Sequence, residues 1–313
     1  MADFQPILVI EKVAMLFLVL ICGFYAMRRG FLFDNTPRAL SLFLVNVTQP
    51  ALIVASFNME YSAEKIQTGF LVLLFSVIIH LCICVIARLV FWKVRDPDSS
   101  HVYQCCLIFG NCSFLGFPVL NAIFGEGVGV FYGTFYCIMF NVLNFTYGIH
   151  LLRRGRGEKP KWYRAILNPG VLSTIVGLAI YLLQIPLPSV INTTLSTVGD
   201  MTFPVSMVIV GALLAKMKLP ALFKNGKLYL FVLIKSILWP ALLIGIFYLL
   251  GLRGEIAVLC VTMAAVPSAA SNTIFAETYE SDSALAAQNV GMTTLFSVLT
   301  LPAMVILASL VLI

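Results

Sequence analysis

Charged side chains are scarce in this chain. Only 11% of its 313 residues are Asp, Glu, Lys or Arg, while 60% are hydrophobic. A soluble domain typically carries about a quarter charged residues, so the composition excludes a water-soluble globular protein. Because a membrane-spanning helix needs roughly 20 mostly apolar residues, the chain has room for about ten such helices and no sizeable domain outside the bilayer. The composition therefore predicts an all-α polytopic membrane protein.

Sequence patterns that accompany catalysis or cofactor binding are also missing. The chain has no phosphate-binding Gly loop, no HExxH pair, no nucleophile elbow and no CxxC pair. Its eight cysteines fall in or beside apolar runs, where Cys acts as a small packing residue. The net charge of +6 comes from short basic clusters between apolar runs, a pattern that does not favour nucleic acid. We expect no enzyme activity, no cofactor, no metal and no nucleic-acid partner.

Apolar runs bounded by charges, Gly and Pro predict ten transmembrane helices in a lipid bilayer. The predicted spans are Ile7–Met27, Leu40–Phe57, Ile66–Trp92, Val102–Phe124, Gly129–Leu152, Pro169–Leu183, Leu187–Ala215, Leu228–Leu252, Ile256–Thr278 and Ser283–Leu312. Sixteen of the 20 Lys and Arg residues lie in or beside the connections after spans 1, 3, 5 and 7. Basic loops stay in the cytoplasm, so this bias predicts a cell-membrane protein (plasma or inner membrane) with both termini on the outer side.

The two halves of the sequence resemble each other at a nearly constant offset. Asn46–Pro50 is similar to Asp200–Pro204, and Asn121–Glu126 is similar to Asn272–Glu277, at offsets of 154 and 151 residues. Five helices per half is an odd number, so the second half would enter the membrane the opposite way up. Such inverted repeats are typical of secondary transporters. The predicted units are a first five-helix repeat (1–152), a cytoplasmic linker (153–168) and a second, inverted five-helix repeat (169–313).

Spans 4 and 9 carry helix-breaking residues at matching positions. Gly116 and Pro118 lie in the middle of span 4, and Pro267 lies among small residues in span 9. Pro removes a backbone donor, and it kinks many helices for purely structural reasons. In inverted-repeat transporters, however, broken helices form the substrate site, and free helix N-termini favour anions. The neutral side chains that we expect at this crossover are Asn111, Asn121, Asn272, Ser268 and Ser271.

The few ionisable side chains inside predicted spans include Lys235, His80 and Asp200. Such groups are costly in lipid and are often functional. Lys235 is a candidate for neutralising an anionic substrate, and Asp200 or His80 is a candidate for carrying a coupling proton. Structural alternatives stay open: Lys235 can snorkel to the membrane surface, Asp200 can be a satisfied structural acid, and His80 can be a packed, hydrogen-bonded histidine.

Several short segments carry a resemblance to a known family. They are Gly110-Asn111, Gly116-Phe117-Pro118, Phe124-Gly125-Glu126, the stretch from Pro267 to Glu277, Thr202-Phe203-Pro204 and the Lys235–Pro240 spacing. These segments are similar to the crossover motifs of the auxin efflux carrier family, which includes plant auxin exporters and bacterial carriers of the malate or malonate type. The resemblance implies a scaffold of spans 1, 2, 6 and 7. It also implies a transport domain of spans 3–5 and 8–10, in which spans 4 and 9 cross at their prolines. Relatives bind a carboxylate with an Asn that matches Asn111 and move by an elevator mechanism.

These patterns predict a secondary active transporter of a small organic anion, a mono- or dicarboxylate, driven by its own gradient or by protons. One alternative is a sodium-coupled symporter of the bile-acid type, although the ion-site pattern of that group is not obvious in this sequence. The other is a membrane-bound sensor or accessory subunit that transports nothing. A homodimer is among the assemblies that such a chain could form.

Overall fold

A computed structural model describes residues 6–153, 163, 167–217 and 223–313 of the chain. Twelve helices organise these described residues. They are α1 (Pro6–Arg28), α2 (Thr36–Ser56), α3 (Ala63–Phe91), α4 (Pro97–Ile108), α5 (Cys112–Phe124), α6 (Val128–Arg153), α7 (Pro169–Leu183), α8 (Ser189–Ala215), α9 (Gly226–Leu249), α10 (Glu255–Ala265), α11 (Ser271–Thr278) and α12 (Ser283–Leu312). The expected cytoplasmic linker falls mostly outside the described residues.

Helices occupy all ten of the predicted apolar runs, which confirms an all-α polytopic membrane protein. By length and composition, seven helices in the described ranges could cross a bilayer: α1, α2, α3, α6, α8, α9 and α12. Predicted spans 4 and 9 are each divided in two, as α4 with α5 and α10 with α11, and α7 has only 15 residues. The full count of ten crossings and the inverted repeat stay predictions.

Single turns of π-helix interrupt four of the helices, and proline accounts for three of them. The turns Leu44–Thr48, Cys112–Gly116 and Ile234–Leu238 each end two residues before a proline (Pro50, Pro118 and Pro240). Proline lacks an N–H and its ring clashes with the preceding turn. Widening that turn into a π-bulge relieves the clash while the helix continues.

The described residues form two compact units. The first draws on Met1–Leu71, Ser113–Phe135 and Ile166–Met217. In it α1 packs along α8, and Gly23 lies so close to Val208 that a Cβ there would come within 2.5 Å of the Val208 carbonyl oxygen. Small residues permit this backbone approach in membrane helices. A buried aromatic cluster of Phe57, Phe131 and Tyr181 packs with ring centroids 4.8–6.5 Å apart.

The second unit draws on Val72–Cys112, Tyr136–Ala165 and Lys218–Ile313. Here α12 packs against α10, α11 and α9, so it forms the centre of the unit. Each unit thus combines helices from both halves of the sequence. The division differs from the one that the family resemblance implies, because spans 3–5 are shared between the units. Close packing explains part of the difference, since Gly69 of α3 lies against the Phe135 ring within the first unit.

Candidate functional site

Two extended segments interrupt the helices of the second unit and pair with each other. After α4 ends, Phe109 and Gly110 leave the helical conformation, and after α10 ends Val266 does the same. Gly110 and Ser268 then form an isolated antiparallel bridge. The Asn111 N–H donates to the Pro267 carbonyl at 2.7 Å, and the Ala269 N–H donates to the Phe109 carbonyl at 3.0 Å. These bonds satisfy backbone groups that would otherwise be unpaired at membrane depth.

Two of the predicted site residues form hydrogen bonds to the C-terminal end of α4. Ser268 Oγ donates to the Cys106 carbonyl at 2.7 Å, and Asn272 Nδ2 donates to the Phe109 carbonyl at 3.1 Å. The last carbonyls of a helix have no partner within it, so these side chains cap the C-terminal end of α4. Asn272 Oδ1 is buried and has no hydrogen-bond partner in the described part of the chain. Asn272 therefore retains an acceptor at the interruption.

Gly110 holds the interruption tight. A Cβ at this position would lie 2.7 Å from Val266 Cγ2 and 3.4 Å from Lys235 Nζ. The first distance is shorter than real side-chain contacts allow, so a glycine is needed for the two segments to approach. The second distance shows that the Lys235 ammonium group lies beside the bridge.

Lys235 is the most unusual side chain of the unit. It is 2% exposed, and it is the only buried Lys, Arg, Asp or Glu among the described residues. Its Nζ donates to the Leu107 carbonyl at 3.0 Å, in the last turn of α4. A cation is favoured at that end of a helix dipole. Since an ammonium has three donors, two have no hydrogen-bond partner within the described ranges. In this structure Lys235 is packed in the unit and does not snorkel.

Asn111 and Ser271 complete the group of predicted residues near the bridge. Asn111 is 6% exposed and uses its backbone in the pairing, while its side chain makes no hydrogen bond within the described ranges. Ser271 is the first residue of α11, whose N-terminal end begins directly after the extended segment. The structure thus brings Asn111, Ser268, Asn272 and Lys235 to one interruption of the second unit.

Gly116, Pro118 and Asn121 have different surroundings from those expected. The first break lies at Phe109–Asn111 and not at Gly116 and Pro118, because the π turn absorbs Pro118 near the start of an α-helical segment. The predicted break at Pro267 does coincide with the extended segment of the second half. Asn121 belongs to the first unit, where its Oδ1 accepts from the Val130 N–H at 3.0 Å and caps the start of α6.

His80 and Asp200 make no hydrogen bond to a residue of the interruption within the described ranges. His80 Nδ1 is 2.7 Å from the Ser76 carbonyl, which can only accept, so Nδ1 carries the proton. The ring packs on Tyr136 at 5.2 Å between centroids, which favours the structural alternative. Asp200 is exposed at the end of the segment Ser189–Asp200 in the first unit and makes no hydrogen bond within the described ranges.

The sequence interpretation missed a polar stripe on α12. Asn289, Thr293 and Ser297 are all fully buried and follow one another at every fourth position. Thr293 Oγ1 accepts from the Ser268 N–H at 3.1 Å, so the stripe reaches the bridge. Asn289 Oδ1 has no partner in the described part of the chain. The i, i+4, i+8 spacing in an otherwise apolar helix was the signal that could have identified them.

Comparisons with known proteins identify the family of this chain. A family model described as "Membrane transport protein" matches residues 8–305. An uncharacterized transporter of Methanocaldococcus jannaschii is 24% identical, with 93% of this chain and 96% of the relative covered. One from Methanothermobacter thermautotrophicus is 26% identical over the same shares. The uncharacterized transporter YfdV of Escherichia coli is 22% identical, with 99% and 98% covered. The chain belongs to this family of membrane transporters, the auxin efflux carrier family.

Proposed function

We propose that this membrane transporter is a secondary active carrier of a small organic anion that bears one or two carboxylates. The observation that carries the proposal is the Lys235 ammonium group, buried beside the helix interruption with no acidic partner among the described residues. A buried charge without a counter-ion is expensive, and an intramembrane ionisable residue is functional by default. A bound carboxylate would supply the missing negative charge.

The neutral groups around the interruption suit the same ligand. A carboxylate has two oxygens that accept hydrogen bonds, and bonds from an ammonium group to it are stronger than those between neutral groups. The Asn111 amide and the N-terminal end of α11 are further donors on the same unit. These neutral donors favour an anionic ligand without adding a second full positive charge to the site. The proposed contacts are therefore Lys235, Asn111 and the N-terminal end of α11 at Ser271, while Ser268 and Asn272 hold the interruption in place.

An elevator mechanism fits this distribution of residues. The proposed contacts all belong to the second compact unit, so a ligand held by them would move with that unit. The orientation with basic loops in the cytoplasm, and coupling to a proton through His80 or Asp200, stay parts of the proposal. We favour transport driven by the substrate gradient or by protons over coupling to sodium.

Counterflow in proteoliposomes tests the proposal. We expect labelled malate, or another carboxylate found by a thermal-shift screen, to accumulate when the vesicles contain the unlabelled anion. Replacing sodium with potassium should leave this exchange intact. Loss of exchange in potassium would favour a sodium symporter. A ligand that raises the melting temperature but shows no counterflow would favour a sensor, because stabilisation reports binding alone.

A further inference from the structure

A cavity of about 640 Å³ lies in the second unit, where α3 and α6 end and α4 begins. Its lining includes Arg88, Trp92, His101, Gln104, Tyr147 and His150. None of its lining residues belongs to the extended segments around the Gly110–Ser268 bridge. The cavity is therefore a candidate for a second ligand.

Basic side chains dominate the polar part of this cavity. Arg88 is always cationic, while His101 and His150 gain a positive charge on protonation, and no Asp or Glu is among its lining residues. The first turn of α4 also borders the cavity through Pro97, and a helix N-terminus adds positive potential. Two acidic residues, Asp96 and Asp98, lie at the start of α4 but do not line the cavity; Asp96 caps the helix by accepting from Ser99 N at 2.9 Å. The cavity therefore favours an anion.

Arg153 is a further basic residue on the same helix as His150. It lies three residues after His150 on α6, so both side chains are on the same face of that helix. Its Nε and Nη1 atoms are buried and have no hydrogen-bond partner within the described ranges. Buried donors are almost always paired in native proteins. A guanidinium presents its donors in a fork that matches a phosphate or carboxylate.

The aromatic residues of the cavity lining indicate the source of the anion. Trp92 is 70% exposed at the end of α3, and the ammonium of Lys93 lies 5.3 Å from its ring centre. Trp and Tyr are enriched at the level of lipid headgroups, and Tyr147 also lines the cavity. Basic pockets between transmembrane helices bind the headgroups of acidic lipids. We propose that this cavity binds the phosphate group of an anionic phospholipid from the adjoining leaflet.

Binding of short-chain lipids to the purified full-length protein in detergent tests the proposal. The probes are short-chain phosphatidylglycerol, short-chain phosphatidylcholine and glycerol phosphate, each titrated while the melting temperature is followed. We expect phosphatidylglycerol to stabilise the protein and the other two to have little effect. Arg88→Gln should weaken phosphatidylglycerol binding roughly fivefold, the usual effect of one basic residue near a lipid surface. His150→Gln is a second variant at an exposed position of the cavity lining, and it should act in the same direction.

Lys227→Gln is the matched control, since Lys227 is an exposed basic residue of the same unit that does not line the cavity. It should leave phosphatidylglycerol binding within about twofold of the native protein. Equal binding by the native protein and Arg88→Gln would overturn the proposed site, as would equal stabilisation by phosphatidylcholine. Stabilisation by glycerol phosphate as strong as that by phosphatidylglycerol would overturn the lipid assignment and identify a soluble phosphate ester as the ligand.

Discussion

Replacing Lys235 by glutamine should weaken substrate binding without lowering the stability of the substrate-free protein. A lysine at the centre of a membrane helix costs about 2.5–3.5 kcal/mol, and this one has no acidic partner among the described residues to offset the cost. The glutamine amide can still donate to the Leu107 carbonyl. We therefore expect the substrate-free variant to melt at the same temperature as the native protein or at a higher one.

Substrate affinity should fall in the same variant. Lys235 has two donors beyond its bond to Leu107, and each hydrogen bond between a charged pair contributes about 1.5–3 kcal/mol. A neutral amide replaces about half of that total, which leaves a loss of about 1.5–3 kcal/mol, or roughly 10- to 150-fold in Kd. The assay is a thermal-shift titration with a carboxylate ligand, repeated by calorimetry. Lys227→Gln, on the same helix but exposed, is the control and should bind normally.

The opposite pattern would refute the reasoning. If Lys235→Gln melts well below the native protein yet binds the carboxylate with unchanged affinity, then the ammonium group is a structural tie to α4. In that case the anion must bind elsewhere, and the observation that carries the proposed function is lost.

Three further variants separate substrate contacts from structural ones. Asn111→Ala should weaken carboxylate binding by about 1 kcal/mol, roughly fivefold, with normal yield of folded protein, as measured by titration and gel filtration. Asn121→Ala should lower stability by about 1 kcal/mol, because the hydrogen bond from the Val130 N–H that caps α6 is lost. Carboxylate affinity should stay unchanged, and a large loss of affinity would show that Asn121 belongs to the substrate site. Gly110→Ala should destabilise the protein by about 1–3 kcal/mol through contact with Val266, seen as a lower melting temperature, and unchanged melting would contradict the tight approach.

The helices were predictable because hydropathy alone determines which segments can enter a membrane. Each apolar run proved helical, and Pro267 correctly identified the extended segment of span 9. The break in span 4 was misplaced, because Pro118 near the start of a helical turn is tolerated after a π turn. The true break at Phe109–Asn111 depends on a partner segment that lies 156 to 160 residues away in the sequence, as the Asn111–Pro267 and Phe109–Ala269 hydrogen bonds show. Local sequence cannot reveal such a partner.

The candidate site was predicted in its residue types more than in its contacts. Lys235, Asn111, Ser268 and Asn272 do lie around one interruption, but their hydrogen bonds run mainly to backbone carbonyls of α4. Backbone acceptors leave no mark in the sequence. The two compact units were harder to predict from the sequence than the site residues. They depend on packing between helices that are distant in the chain, and they do not follow the boundary between the predicted repeats.

The pairing at Gly110 and Ser268 has a consequence for how such a carrier could change its specificity. Its hydrogen bonds join main-chain atoms, so the pairing of the two segments does not depend on the flanking side chains. It requires only that position 110 remains a glycine. Neighbouring positions such as Asn111 can then be exchanged without rebuilding the membrane domain. Because the main-chain pairing stays fixed while the side chains beside it can change, one fold could transport different substrates after a few substitutions.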